Sequence, residues 1–107
     1  MTDAVVVLIT AATEEEAVAM AKALVEGRLA ACVNIVKQIR SVYRWQGRIA
    51  DEQEVLMIAK TRKGLFADLV RRIQELHSYT VPEVIALPIV DGFEEYLAWL
   101  GTETGKG

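Results

Sequence analysis

Thirty residues, Ala31 to Lys60, carry Val, Ile, Tyr and Trp without a helical stripe and are interrupted once, at Gln46-Gly47. Such a run folds as two antiparallel strands joined by a tight turn. At ~3.3 Å per residue the two arms reach about 45 Å, whereas the last clear strand, Glu83 to Ile89, covers about half that length. A chain of 107 residues builds one core, so the hairpin overhangs its own sheet. Its outer part holds Val42, Tyr43, Trp45 and Ile49, which would leave unpaired backbone and large side chains exposed together. The expectation is a closed homo-oligomer with Tyr43 and Trp45 in its interface. The alternative is a bulge or bend that folds the hairpin back over its own sheet.

The remaining elements follow from periodicity and caps. Ala4 to Thr10 is β-branched and too short for a helix, and it reads as a strand buried on both faces. Thr13 and Glu16 have capping-box spacing ahead of an apolar stripe of Ala17, Val18, Ala21, Leu24 and Val25, which ends near Gly27. Thr61 is expected to cap a second helix, with Leu65, Phe66, Leu69, Val70, Ile73, Leu76 and His77 on one face. Pro82 pushes Val81 toward an extended conformation and breaks that pattern. Phe93, Tyr96, Leu97 and Leu100 mark a short final helix. The order predicts an α+β, ferredoxin-like βαββαβ sandwich over residues 1–101, with a long β2-β3 hairpin, a short C-terminal helix and a flexible tail, 102–107, that has nothing to bury.

Charge and composition exclude several functions. Twelve Lys and Arg against 15 Asp and Glu give a net charge of -3, the wrong sign for a protein that coats phosphate backbones. Nucleic acid is not an expected partner, nor is a membrane, because no apolar run approaches ~20 residues. One cysteine, Cys32, cannot close an intrachain disulfide, and the N-terminus shows neither a basic stretch nor a signal-type cleavage site. The expected location is therefore cytoplasmic. With a single His and a single Cys, one subunit has too few such ligands for a His/Cys zinc site, which takes ~3 to 4.

Among the chemistry-bearing residues, His77 at the end of the second helix is the best metal-ligand candidate; capping helix carbonyls or packing is its bland alternative. Cys32 reads as a small buried hydrophobe or a soft ligand, about a strand length from His77. Asp51, Glu52 and Glu54 alternate in direction along a strand and read as a solvated hairpin face. Lys60, Arg62 and Lys63 precede a helix but lack a glycine-rich phosphate motif. No serine with a paired base, nucleophile elbow or Cys-His pair is evident, so no enzymatic activity is expected.

The strings AACVNI (Ala30 to Ile35), SVYRWQG (Ser41 to Gly47), DEQEVLMIAKTRKGLF (Asp51 to Phe66), VPEVIALPI (Val81 to Ile89) and EYLAWL (Glu95 to Leu100) resemble the CutA divalent-cation tolerance proteins, in order and across nearly the whole chain. The resemblance implies a ferredoxin-like subunit in a homotrimer whose hairpins pair between subunits. It also implies a cytoplasmic role in tolerance of, and response to, copper and other divalent cations, with copper binding as a family property. His77 matches the family histidine usually followed by Pro-Tyr-Glu or Pro-Tyr-Gln, although Ser78 and Thr80 stand here around Tyr79. Some relatives have a cysteine where this chain has Ile9. The likeness in fold and assembly to nitrogen-regulatory PII proteins keeps a second reading open: a trimeric signalling module that binds a small effector between subunits.

Overall fold

The computed structural model describes residues 2–105. β1 (Ala4–Ala11) leads into α1 (Glu14–Glu26), β2 (Cys32–Trp45) and β3 (Arg48–Arg62). A single 3-10 turn, Lys63–Leu65, precedes α2 (Phe66–Leu76), β4 (Val84–Pro88) and α3 (Glu94–Glu103). The strands form one antiparallel sheet in the order β2-β3-β1-β4, giving the α+β, ferredoxin-like arrangement.

Strand alternation divides this sheet into two unlike faces. Val7 and Ile9 of β1 and Met57 and Ala59 of β3 point toward the helices and are fully buried. They meet Met20 and Leu24 of α1 and Leu69 and Ile73 of α2. On the opposite face, register aligns Asn34, Ile58, Leu8 and Ile85 in one row and Cys32, Lys60, Val6 and Leu87 in the next. Here α3 covers only one end, where Leu100 packs with Ala4 and Ala31. Ile85 and Leu87 are each 49% exposed. The expectation of a β1 buried on both faces is thus met on one face only, with Val6 and Leu8 half-buried on the other.

The hairpin turns on Gln46 (φ 51) and Gly47 (φ 78), the two left-handed residues that a primed turn requires to match strand twist. A bulge between Val36 and Ile39 is present, yet strand pairing continues past it to Trp45 and Arg48. β1 ends opposite Val55, so the arm of β3 from Arg48 to Glu54 extends past it with a strand partner on one side only. The subunit is 44 Å long and 25 Å by 22 Å across.

Two local expectations are corrected. Thr61 does not cap α2: it remains in β3 opposite Val5, fully buried, and donates its hydroxyl hydrogen to the Leu29 carbonyl at 2.7 Å. Ladder pairing outweighs capping there, and α2 starts after the 3-10 turn without a side-chain cap. α1 ends at Gly27 as expected, with an ordinary φ of -82 there and the left-handed residue at Arg28. The second correction is the C-terminal segment. Thr104 is 1% exposed, and Arg62 donates from Nε to its hydroxyl and from Nη2 to its carbonyl, both at 2.9 Å. Gly105 N–H also bonds the Arg28 carbonyl. Thr104 is thus the buried anchor that the sequence reading of the tail missed, while Lys106 and Gly107 lie outside the described residues.

Candidate functional site

The first link is at the start of α1. Thr13 Oγ1 accepts the Glu16 amide hydrogen, the expected half of a capping box. Glu16 does not return the bond to Thr13: its Oε1 accepts from Ala12 N and its Oε2 from Ser78 N at 2.8 Å. Partial burial pushes the Glu16 carboxyl upward, but the hydrogen bonds it accepts from Ser78 and Ala12 hold it below the ordinary Glu value. The carboxylate therefore ties α1 to the segment that follows α2.

That segment begins with His77, which leaves the helix with extended backbone (φ -78, ψ 140). Its imidazole is held between the end of β1 and the Tyr79 backbone. Nδ1 accepts the Tyr79 backbone N–H at 3.0 Å; since an amide only donates, Nδ1 carries the lone pair. Nε2 faces the Thr10 carbonyl at 2.7 Å and so carries the proton. Both ring nitrogens are engaged, and this is the bond pattern of the neutral Nε2-H tautomer. The ring also lies against Tyr79, centroids 4.6 Å apart.

Tyr79 carries the connection to the hairpin. Its hydroxyl donates to Glu54 Oε2 at 2.7 Å, and burial followed by the bond to Glu54 raises its phenol well above the usual range. On the same face Tyr43 donates to Glu52 Oε1 at 2.5 Å, and that bond is the main cause of its own raised phenol. Beside this row a groove of about 480 Å³ is lined by residues including Thr10, Tyr43, Trp45, Glu54, Tyr79 and Glu83. None of its lining residues is Lys, Arg or His.

The expected residues therefore fall into separate places. Tyr43 and Trp45 line the groove, whereas His77 is a buttress behind Tyr79. Cys32 lies in the row of Val6, four residues along β1 from Thr10, or ~13 Å along the strands. Its Sγ contacts Tyr96 Oη at 3.4 Å, and hydrogen bonding to Cys32 together with burial raises Tyr96 to about 12. Asp51 projects to the other side of the hairpin, where it makes a two-pronged ion pair with Arg40. Arg62 is occupied by Thr104, and Lys60 bonds Asn34, so neither supports an anion site at α2.

Glu54 corrects the reading of a uniformly solvated acidic face: it is only 7% exposed. It continues the alternation of Leu56 and Ile58 onto the open face, where the Tyr79 segment covers it. Alternation gave the direction of its side chain; the long-range approach of Tyr79 had no local sequence signal. Among the described residues no group of three or more His, Cys, Asp or Glu is disposed to hold a metal ion.

The profile of the CutA1 divalent ion tolerance protein family matches residues 5–103. The divalent-cation tolerance protein CutA of Thermus thermophilus is 56% identical over 100 residues, covering 94% of this chain and 97% of that protein. Its solved structure aligns with a TM-score of 0.93 at 55% identity, over 95% of this chain and 99% of the other. A structure described as the periplasmic divalent cation tolerance protein CutA of Archaeoglobus fulgidus aligns at TM-score 0.91 and 42% identity, over 94% and 97%. The chloroplastic CutA of Arabidopsis thaliana is 45% identical over 94% of this chain, which spans only 55% of that longer protein.

Proposed function

The chain belongs to the CutA1 family of divalent ion tolerance proteins, and from that premise we propose that it is a cytoplasmic homotrimer that binds copper or another divalent cation at the seams between subunits. The observation carrying the reading is the open sheet face. Ile85 and Leu87 are half exposed, Val6 and Leu8 lie beside them, and the hairpin runs past β1 with one edge of its outer arm unpaired. Sister subunits would cover the apolar rows and supply the missing strand partner. The requirement for neighbours comes from this geometry; the number three comes from the family resemblance.

Placing the cation at a seam agrees with the donor arithmetic, because no three-ligand cluster exists among the described residues of one chain. His77 as presented does not fit a metal, since Tyr79 N–H and the Thr10 carbonyl occupy both ring nitrogens. Its use as a ligand requires Nδ1 to release Tyr79 and a neighbouring subunit to contribute donors. The cytoplasmic reading is supported by the lone Cys32, which has no intrachain disulfide partner, although individual relatives carry chloroplastic or periplasmic designations. No described helix is long and apolar enough to cross a membrane. The family is named for ion tolerance rather than for a reaction, and the proposal assigns no catalysis.

Copper titration calorimetry tests the reading. Saturable binding by the assembled protein, lost in both His77→Ala and a dissociated variant, is expected. Unchanged binding by the dissociated variant, or no binding by the assembly, overturns the seam site. A second reading, a small effector held beside the hairpin, is favoured by the groove at Tyr43, Trp45 and Tyr79.

A further inference from the structure

We infer that the groove beside Glu54 takes an organic cation bearing N–H donors, a primary ammonium or guanidinium group on an apolar stem; this rests on the small-effector reading and specifies its ligand. The first support is Glu54. It is more than nine-tenths buried, its Oε2 accepts from the Tyr79 hydroxyl, and its Oε1, without a partner among the described residues, stays accessible at the groove wall. Among the described residues no Lys or Arg ion-pairs with it. A carboxylate with one oxygen held by a tyrosine and the other open to a groove is stabilised by a cation that also donates a hydrogen bond.

The second support is the composition of the walls. Tyr43, Trp45 and Tyr79 give the groove aromatic surface, and an organic cation gains both apolar contact and attraction to ring faces there. Thr10, Ser78 and Thr80 add hydroxyls, and Glu83 supplies a second acid. A nucleotide or carboxylate effector would face Glu54 and Glu83 without a Lys, Arg or His in the lining. The charge of the walls therefore selects cations over anions, and the aromatic surface favours an organic stem over a bare ion.

Saturation-transfer NMR of the assembled protein with n-butylammonium, 1-butanol and butyrate tests this inference. Selective, saturable transfer to n-butylammonium is expected, with affinity reduced by about tenfold in Glu54→Gln and by a smaller factor in Glu83→Gln. Glu75→Gln, on α2, removes the same formal charge outside the groove and is expected to leave affinity unchanged. Glu83 is exposed, so its variant still provides a test if Glu54→Gln disturbs folding. Binding of butyrate in preference to n-butylammonium would keep the small-effector reading and overturn the cation assignment. No transfer from any of the three would overturn both, as would equal losses in the Glu75 and groove variants.

Discussion

The two faces of the sheet are built from similar residues but finished differently. Toward α1 and α2, Val7, Ile9, Met57 and Ala59 lie at 0% exposure. On the opposite face, Ile85 and Leu87 in the same β1-β4 ladder remain 49% exposed. One face has its partners within the chain; the other is covered only at its ends, by α3 over Ala4 and Ala31 and by the Tyr79 segment over Glu54. Hydrophobicity alone therefore does not distinguish a residue that the subunit buries from one that it leaves exposed.

The sharpest way to break this contrast is Leu87→Glu. A charge in the middle of the open face is expected to dissociate the assembly to the 11.8 kDa subunit while its far-ultraviolet circular dichroism persists. An unaltered assembly mass in sedimentation would show that this face is not the interface. On the covered face, Ile73→Ala is expected to lower subunit stability by about 2–5 kcal/mol in urea unfolding. Its loss should appear without dissociation preceding unfolding. Leu87→Ala should instead make stability more dependent on protein concentration, because it weakens contacts between subunits.

A smaller effect is expected where the C-terminus joins the two regions. Arg62→Ala removes both bonds to buried Thr104 and should cost about 1–3 kcal/mol. Faster amide exchange at Gly105 would locate the change; unchanged exchange there would contradict the docking role. The smallest expected effect is acid loosening of the Ser78 link. Glu16 is depressed in the folded chain, so its contribution is present above the unfolded Glu value and is lost as pH falls through the lower folded value. The Ser78 amide resonance should remain native at the ordinary Glu value of 4.5 and shift below it. That acid-dependent shift should disappear in Glu16→Gln.

The same contrast explains what was legible in the sequence. The six-element order, the Gln46-Gly47 turn and the overhang were readable because each is a local pattern of propensity and length. Thr61 was misread because ladder pairing with Val5 overrode its helix-capping tendency. The burial of Thr104 was hidden because its anchor, Arg62, is far away in sequence. His77 stood out as the one imidazole, but its role as a buttress depended on Tyr79 and Thr10 meeting it from two directions. Glu54 similarly acquired its surroundings through a long-range fold contact.

The central claim is that sister copies complete the open face and the hairpin edges. Sedimentation equilibrium of the unmodified protein at micromolar concentration tests it most directly. The account predicts one species with about three times the 11.8 kDa subunit mass; a stable species at 11.8 kDa would contradict it.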